Sequence, residues 1–388
     1  MSKLMLKNAL VNGAIQDILL EDGIISKMGP ELAADTATVL LAQEGNLVIP
    51  GFVDCHAHID KSHLNDKGEN KYVHGTGGEK GALTRIAKAK FTVEDISLRA
   101  ERVIRDAIKA GTLILRTNCD VDAIVGLKGI EALLGLKEKY REQITLQIAA
   151  FAQEGIFQDG KTPELLEEAL RMGADLLGGH TITCGEGEKH IDFILELADK
   201  YACDADFHLD ESGNREHYLL PYLAGKLKEM NMEGRVNAIH MCTLSALSED
   251  ELKKAIELIL ESRLRVTIAP TAISTRKIAP VKALLKAGVP LGLGSDNIRD
   301  FFNPLGSGDV KQMALLLSYL QAFYSEEENA AIWSMITDGG AKLLGANYEI
   351  CPGASANLTA FSAKTPQEII SMQLQPSTII RSGRILNI

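Results

Sequence analysis

Eight short apolar segments alternate with amphipathic stretches over most of this 388-residue chain. After the second segment they recur roughly every 30 residues, which is the length of one strand–helix unit. The predicted strands cover residues 47–55, 112–117, 144–151, 175–179, 205–208, 236–240, 265–269 and 290–295. Eight such units in a row predict an α/β fold of the (β/α)8 TIM-barrel type. An open doubly wound sheet is the alternative, although such a sheet rarely needs eight parallel strands.

Capping signals mark two helix starts between these strands. Thr162 precedes Pro163 and an apolar-periodic run, which predicts an N-cap at Thr162. Ser248 precedes three consecutive acidic residues, which predicts a cap followed by an acidic first turn. Helices in these positions fit the connections of a parallel sheet.

Both ends of the chain depart from the alternating pattern. Residues 3–46 contain short β-like pieces around turn signals such as Asn12-Gly13, and residues 349–388 contain further β-like pieces. Neither end has enough strands to bury a face alone, so we expect the two ends to pair. We therefore predict a small composite β-sandwich of residues 1–49 and 348–388, and a barrel domain of residues 50–347.

The gap between the first two predicted strands is much longer than the others. It contains the polar residues 61–70 and the glycine-rich residues 76–81. A long insertion at the carboxyl face of a barrel is well placed to act as a lid over a binding site. A loop that only covers the surface is the alternative.

Composition limits the function classes that the chain can belong to. With 46% hydrophobic and 24% charged residues, it has the composition of a globular protein. The net charge of -11 argues against nucleic-acid or anionic-membrane partners, because either would select a basic face. No apolar run is long enough for a membrane span, and the first residues lack a signal-peptide core. The six cysteines have no CxxC spacing, which is typical of reduced thiols in a cytoplasmic protein.

His56 and His58 close the first predicted strand and are the clearest functional signal. Residues i and i+2 of a strand point to the same face, so the two imidazoles should emerge side by side. Two imidazoles presented in this way form half of a metal site. The alternative is a pair of polar residues in a strand-to-helix loop.

Further candidate ligands follow the other predicted strands. Side chains at the carboxyl ends of barrel strands converge on one site. We therefore predict that one divalent cation is bound by His56, His58, His208 and Asp296. Such a cation would lower the pKa of a bound water toward neutrality and supply hydroxide. Gln153, His180, Glu211 and His240 also follow strands and should face the same space.

Three of these residues have competing interpretations. Glu211 comes three residues after His208, near the cation but not on it, which suits a proton shuttle; the alternative is a solvated loop carboxylate. His240 could hold the hydroxide or polarise the attacked carbon, or it could be a core histidine. His180 could contribute to the site directly, support it from behind or be structural. The remaining histidines, at positions 63, 74, 190 and 217, are predicted to lie at the surface unless the long insertion folds over the site.

The chain resembles the amidohydrolase superfamily, specifically its cytosine-deaminase-like branch, over essentially its whole length. The HxH strand is shared across the superfamily, whereas Gln153-Glu154-Gly155 and His208-Leu209-Asp210-Glu211 are typical of cytosine deaminases and triazine aminohydrolases. The run 295–300, Ser-Asp-Asn-Ile-Arg-Asp, is most similar to the N-isopropylammelide aminohydrolases.

This resemblance implies a single divalent zinc or iron ion per subunit on the four predicted ligands. It implies that Glu211 protonates a ring nitrogen, while His240 and Asp296 activate the hydroxide. Gln153 would read a carbonyl and ring N–H of the substrate through its amide. The implied reaction is hydrolytic release of ammonia or an amine from a small cytosine-like pyrimidine or triazine. The other predicted substrate-binding residues are Asn297, Phe302 and His180.

Two departures from the family pattern bear on the substrate. Asn118 and Phe302 stand where relatives carry His and Trp, and both positions should shape the pocket. The rival enzyme is a ring-opening cyclic amidase of the hydantoinase or dihydroorotase kind, whose two metals share a lysine at the end of strand four. Residues 178–182 contain no lysine. A catalytically inactive scaffold is the third hypothesis. A small heterocycle is the expected partner, and a homo-oligomer is the expected assembly.

Overall fold

A computed structural model describes residues 3–36, 38–67 and 77–387 of the chain. Its strands, in chain order, are β1 (Lys3–Val11), β2 (Ala14–Glu21), β3 (Ile24–Gly29), β4 (Thr38–Ala42), β5 (Leu47–Pro50), β6 (Phe52–His58), β7 (Thr112–Asp120), β8 (Thr145–Ala152), β9 (Leu176–His180), β10 (Ala205–Leu209), β11 (Val236–His240), β12 (Arg265–Ile268), β13 (Leu291–Leu293), β14 (Asp296–Asn297), β15 (Leu358–Phe361), β16 (Thr378–Arg381) and β17 (Arg384–Ile385).

The helices lie mainly between the strands of the central part of the chain. They are α1 (Gly77–Lys88), α2 (Val93–Lys109), α3 (Lys128–Tyr140), α4 (Thr162–Met172), α5 (Gly187–Lys200), α6 (Leu220–Met230), α7 (Glu249–Glu261), α8 (Val281–Lys286), α9 (Val310–Leu320), α10 (Glu326–Met335), α11 (Asp338–Leu343) and α12 (Pro366–Met372). Within residues 3–36, 38–67 and 77–387, no helix combines the length and apolar character that a membrane crossing requires.

The central strands form one curled parallel sheet of nine strands in the order β13-β12-β11-β10-β9-β8-β7-β6-β14. All eight predicted strand segments are present in it. The predicted first strand is divided at Gly51, so that residues 47–50 join a different sheet. The strands at the two ends of the order, β13 and β14, are separated by only two residues in the chain. The histidines of the predicted site, His56, His58, His208 and His240, lie at the carboxyl ends of these strands.

The two termini form a separate mixed sheet, as their β-like pieces predicted. Its order is β17-β16-β15-β5-β1-β2-β3, with β4 also pairing with β1. Residues 3–7 of β1 pair with β4, whereas Leu10 pairs with β5, and a bulge separates the two halves of the strand. Apolar residues from both ends of the chain pack into one core under this sheet, among them Leu6, Ile18 and Leu358.

The two predicted helix starts have different outcomes. α7 begins with a capping box in which the Glu251 backbone N–H donates to Ser248 Oγ and the Ser248 N–H donates to Glu251, as the sequence predicted. The predicted N-cap at Thr162 is wrong by one residue, because α4 includes Thr162 and is capped at Lys161. The Asp159 carboxylate accepts the backbone N–H groups of Lys161 and Thr162, which lets the helix begin earlier.

The long insertion between β6 and β7 is only partly described. Residues 68–76 of the predicted lid, with His74, lie outside the described residues. The segment on one side of that gap folds into a short 3-10 helix, Leu64–Lys67, and the segment on the other side forms α1. Lys80 of α1 donates to the Phe302 carbonyl at 3.1 Å, so α1 lies against the loop that follows β14.

Candidate active site

His56 and His58 lie side by side on β6, as their spacing predicted. Both are buried, and their ring centroids are 4.8 Å apart. Nδ1 of His58 lies 3.2 Å from the backbone carbonyl of Asn118 on β7, so that nitrogen is the donor. A carbonyl acceptor at Nδ1 fixes the tautomer and leaves the lone pair on Nε2.

The other two predicted ligands converge on the same point from distant parts of the chain. Nε2 of His208, on β10, lies 3.2 Å from Nε2 of His58. Oδ1 of Asp296, on β14, lies 3.4 Å from Nε2 of His56 and 3.6 Å from Nε2 of His58. Ligand atoms that bind one ion at about 2.1 Å are themselves about 3.0–3.5 Å apart. These separations fit a shared cation.

His240 lies closer to this cluster than its predicted catalytic role required. Together with His56, His208 and Asp296 it offers ligand atoms that are all within 4.8 Å of one another. It ends β11 with a φ of +76°, and Asp296 has a φ of +60°, so both are held in left-handed backbone conformations. Such conformations cost of order 1–3 kcal/mol each and cluster at functional sites.

Several ring nitrogens of the cluster lack hydrogen-bond partners in the described part of the chain, which fits a bound cation. Among the described residues, both ring nitrogens of His56 and the Nδ1 atoms of His208 and His240 are buried and make no hydrogen bond. Buried nitrogens without partners cost about 1–3 kcal/mol each. Imidazole nitrogens with one carboxylate are the donors that zinc and iron prefer, so the residues present fit such an ion.

Burial sets the protonation states of this cluster. It lowers the pKa of His58 and His208 well below the ordinary histidine value, and it lowers the pKa of His240 to about 4. Burial would raise the pKa of Asp296, but the neighbouring His56 and His240 more than offset it, so the net shift is downward. Neutral imidazoles and an ionised carboxylate are the forms that bind a divalent cation.

A second set of hydrogen bonds holds the two ends of the curled sheet together beneath the cluster. Asp54 of β6 accepts the backbone N–H of Ser295 at 3.0 Å and is also bonded by the Ser295 hydroxyl. Gly294 lets the backbones approach, because a Cβ there would lie 2.6 Å from the His56 carbonyl oxygen. These contacts set the position of Asp296 relative to the β6 histidines.

Glu211 lies beside the cluster, held between His180 and Arg276. Its Oε2 lies 3.1 Å from Nε2 of His180, and its Oε1 forms an ion pair with Arg276. Burial would raise the pKa of Glu211, but Arg276, His240 and His180 hold it well below its usual range. Glu211 is therefore an ionised carboxylate at the edge of the cation cluster, where a proton shuttle was predicted.

Gln153 is also held in one orientation by its hydrogen-bond partners. Its Oε1 accepts from Lys61 Nζ at 3.1 Å, and its Nε2 lies 3.3 Å from Nδ1 of His180. Lys61 in turn pairs with Asp120 at 2.8 Å. The amide is thus fixed with one lone pair occupied and with an N–H available to a bound molecule.

The loop after β14 supplies the remaining predicted substrate-binding residues. Asn297 donates to the Asp300 carboxylate, and its carbonyl accepts from Asn303 at 3.0 Å. The Phe302 ring lies 5.8 Å from Lys61 Nζ. Asn118, the other departure from the family pattern, is buried on β7, and within the described part of the chain its amide makes no hydrogen bond.

These groups border one cavity of about 540 Å3. Of the predicted residues, the cavity is lined by His58, Gln153, His180, His208, Glu211, His240, Asp296, Asn297 and Phe302. Lys80 and Arg85 of α1 also line it, so the described part of the long insertion forms one wall. A cavity of this size, with polar groups among its lining residues, accommodates a small heterocycle.

Sequence reasoning missed three cationic residues at this site and misplaced two histidines. Arg276 follows β12 in a loop without any recognisable motif, and Arg85 lies on α1, so no spacing signal pointed to either. Lys61 follows the HxH segment directly and is the one such residue that a closer search there could have found. His63 and His190, predicted at the surface, are buried.

The fold and site together define a hydrolase that uses a His/Asp cation cluster at the carboxyl ends of a parallel sheet. Residues 82–386 match the amidohydrolase family. The chain is 34% identical over 396 residues to N-isopropylammelide isopropyl amidohydrolase of Pseudomonas sp. (strain ADP), covering 99% of this chain and 96% of the relative. The chain therefore belongs to the amidohydrolase family, whose relatives here include hydrolytic deaminases and aminohydrolases acting on C–N bonds.

Two solved structures have the same fold over their whole length. N-isopropylammelide isopropylaminohydrolase from Burkholderia multivorans superposes with a TM-score of 0.91 at 29% identity, covering 99% of this chain and 98% of that one. The 5-methylcytosine deaminase from Klebsiella pneumoniae, liganded with phosphonocytosine, superposes with a TM-score of 0.90 at 28% identity and the same coverage. The resemblance inferred from the sequence motifs is confirmed.

Proposed function

We propose that this chain is a metal-dependent hydrolytic deaminase that releases ammonia or an amine from a small cytosine-like pyrimidine or triazine ring. The observation that carries the proposal is the convergence of His56, His58, His208 and Asp296 beside the ionised Glu211 in one cavity. Relatives named for amine release from a triazine and from 5-methylcytosine support the same reaction class.

We propose the (β/α)8 barrel as the architecture that holds this site. β13 pairs with β12 and β14 pairs with β6, so a single chain stretch, residues 291–297, would act as the eighth strand. Residues 50–347 would form the barrel domain. Residues 1–49 and 348–388 would form the small β-sandwich around the terminal sheet.

One divalent cation per subunit, zinc or iron, is the proposed cofactor. His56, His58, His208 and Asp296 would hold it, and His240 lies within coordinating reach of the same point. When bound, the cation acidifies a water so that hydroxide is available near neutral pH. The orphaned ring nitrogens of His56, His208 and His240 support this assignment.

Glu211 is the proposed proton carrier. Because its pKa is held well below the usual range, it begins as a carboxylate and can accept a proton from the attacking water. It would then pass that proton to the ring nitrogen beside the attacked carbon. Nε2 of His180 lies 3.1 Å from Oε2 of Glu211, and this contact keeps the Glu211 carboxylate oriented. His240 and Asp296 would assist in activating the water.

Gln153, Asn297 and Phe302 are the proposed binding residues for the ring. Gln153 has an N–H free to donate, so the substrate edge that faces it should carry an acceptor, such as a carbonyl oxygen or an unprotonated ring nitrogen. Phe302 offers an aromatic face at the cavity wall. His180 would support both Gln153 and Glu211 through its two ring nitrogens.

The expected setting is a cytoplasmic homo-oligomer that acts on a small heterocycle, without nucleic-acid or membrane partners. The net charge of -11 supports the absence of polyanionic partners. The ring-opening amidase remains the alternative chemistry, but β9 ends in His180 and contains no lysine that could bridge two metals.

A substrate screen with product analysis tests the proposal. The purified protein is assayed for ammonia or amine release from cytosine, isocytosine, ammelide-type triazines and creatinine, and its metal content is measured in parallel. We expect amine release with the ring intact, as read by the ring's ultraviolet absorbance. A product that has lost the ring absorbance without releasing ammonia identifies the ring-opening amidase instead.

Glu211→Gln separates the mechanism from the metal site. Removing the proton carrier should lower kcat by about 100- to 10,000-fold while leaving the metal content unchanged. Glu216→Gln is the matched control, because it makes the same chemical change at an exposed position five residues away. Full turnover in Glu211→Gln would contradict the assigned role.

A further inference from the structure

Arg276 occupies a wall of the active-site cavity, next to the proposed proton carrier. It lies just after the short 3-10 helix Pro270–Ser274 that follows β12, and its guanidinium pairs with Oε1 of Glu211. Nη1 of Arg276 bonds the Thr275 hydroxyl at 2.9 Å. Arg276 itself lines the cavity, and 21% of its side chain is exposed there.

The hydrogen-bond capacity of Arg276 is not used up by these contacts. A guanidinium carries five N–H donors, and within the described residues its buried Nε makes no hydrogen bond. Cys242 and the Asp296 carboxylate also lie near enough to raise the pKa of the guanidinium. Arg276 therefore brings a guanidinium with spare donor capacity to the wall of the cavity.

Glu211 does not need Arg276 in order to be positioned. Its second oxygen is already held by His180, whose other ring nitrogen contacts Thr183 and Gln153. A carboxylate that must accept and release a proton is hindered by a permanent guanidinium partner, because the pair stabilises the ionised form alone. An ion pair that opens when substrate binds removes this conflict.

The other cations that line the cavity are already engaged. Arg85 pairs with Glu154 at 2.8 Å, and Lys80 donates to the Phe302 carbonyl at 3.1 Å. Both lie on α1 and not in the loop that carries Arg276. Among the described residues, Arg276 is therefore the cationic side chain that lines the cavity and also pairs with Glu211.

We propose that Arg276 binds the substrate and selects rings that carry an oxyanion, exchanging Glu211 for that oxyanion when the ring docks. The proposal rests on the proposed function and narrows its substrate class to oxo-azines that ionise on the ring or carry a carboxylate. The planar guanidinium fork suits an oxyanion bound through two parallel hydrogen bonds. Glu211 then remains on His180 alone, free of its cationic partner.

Binding of three six-membered rings tests this selection without relying on turnover. Uracil is neutral at neutral pH, barbiturate is a ring oxyanion of almost the same size, and orotate carries a carboxylate on the ring. Calorimetric titration of the metal-loaded protein should give tighter binding of barbiturate or orotate than of uracil. Whichever anion is preferred identifies the ring oxygen or the carboxylate as the group recognised.

Arg276→Gln should remove that preference. Loss of a charge-assisted hydrogen-bond pair is expected to weaken binding of the preferred anion by about 10- to 100-fold, with little change for uracil. Arg276→Lys, which keeps the charge but not the fork, should recover only part of the preference. Lys277→Gln is the matched control, because it removes the neighbouring exposed positive charge outside the cavity lining.

The proposal is overturned if the unmodified protein binds uracil as tightly as both anions, and two outcomes in the variants also overturn it. One is an anion preference that persists in Arg276→Gln, since the preference would then come from the metal or from another cation. The other is equal weakening of all three rings, which indicates that Arg276 only supports the shape of the site. Failure of the proposed deaminase activity is a different result, because it appears in the amine-release assay while the binding preference is unaffected.

Discussion

Two clusters of buried polar groups lie next to each other at the carboxyl ends of the parallel strands, and they balance their charges in opposite ways. The first is the imidazole cluster, defined by His56, His58, His208, His240 and Asp296. Burial lowers the pKa of its His58, His208 and His240, four of its ring nitrogens lack hydrogen-bond partners among the described residues, and it contains one carboxylate. No lysine or arginine belongs to it.

The second is the lysine cluster, defined by Lys61, Lys88, Asp60, Asp120 and Asp122. Lys88 Nζ lies 2.9 Å from Asp120, 2.7 Å from Asp122 and 2.7 Å from the carboxylate of Glu154. Both lysines are fully buried, and the neighbouring carboxylates raise their pKa values against the effect of burial. Its positive charge is supplied by the chain itself.

The difference between the two clusters shows that a set of candidate ligands is not by itself a metal site. His58, Asp60 and Asp120 also bring ligand atoms within 4.8 Å of one another. However, Lys61 and Lys88 already occupy both oxygens of Asp120. Where buried carboxylates have ammonium partners, a cation would add charge that the surroundings do not need. We therefore expect metal only in the imidazole cluster.

Asp296→Asn against Asp122→Asn is the test with the largest expected effect. Asp296→Asn removes the carboxylate of the imidazole cluster, so turnover should fall to background. Metal affinity should fall by more than the roughly 10- to 100-fold that follows loss of a ligand's hydrogen-bond partner. Asp122→Asn makes the same change in the lysine cluster, and this variant should retain the metal bound in the imidazole cluster. Equal metal loss in both variants, measured by elemental analysis, would contradict the assignment of the metal to the imidazole cluster alone.

Lys88→Met tests the lysine cluster by removing an ammonium group instead of a carboxylate. Removing the ammonium leaves three carboxylates without a shared partner, and breaking a buried pair typically costs about 3–5 kcal/mol. The free energy of unfolding from denaturant titration should fall by that amount, while metal content per folded chain stays the same. Lys90→Met, at an exposed position two residues on, is the control and should leave stability nearly unchanged.

His190 provides a reference for a neutral buried imidazole without a metal role. Its Nε2 accepts the His180 backbone N–H at 3.1 Å, and burial lowers its pKa to about 3. Between pH 6.5 and 3 the unfolded chain binds a proton at this residue and the folded chain does not. Its contribution to stability should therefore fall by about 1.4 kcal/mol for each pH unit below 6.5.

The measurement is the difference in unfolding free energy between wild type and His190→Gln, taken from pH 7 to pH 4. Glutamine keeps an acceptor near the Nε2 position but does not titrate, so the difference isolates this imidazole from the carboxylates. Both proteins are stripped of metal beforehand, because release of a cation at low pH would add its own slope. A difference that does not change with pH contradicts the assignment.

Much of the fold could be predicted because the alternation of strands and helices is a local property. The eight apolar segments, the composite terminal sheet and the Ser248 capping box are each encoded within a few residues. The N-cap at Thr162 failed because Asp159, three residues away, satisfies the first backbone N–H groups. Element ends depend on such side chains, which periodicity does not reveal.

The candidate site was predictable where it coincides with strand ends and not elsewhere. His56, His58, His208, Glu211 and Asp296 follow strands, so a parallel sheet brings them to one edge. Arg276 and Arg85 reach the site from a loop and from a helix of the long insertion, and their contacts depend on tertiary packing. His190 read as a surface residue because it lies on α5, yet it faces the sheet and is buried.

The close approach at Gly294 has a consequence for how the protein responds to metal supply. His56 and Asp296 are 240 positions apart in the chain, and they meet only where the first and last strands of the curled sheet come together. An ion bound to both acts as a non-covalent cross-link between β6 and β14. Resistance to heat should therefore follow free metal concentration, with about 2.7 kcal/mol gained at a hundredfold excess over the dissociation constant.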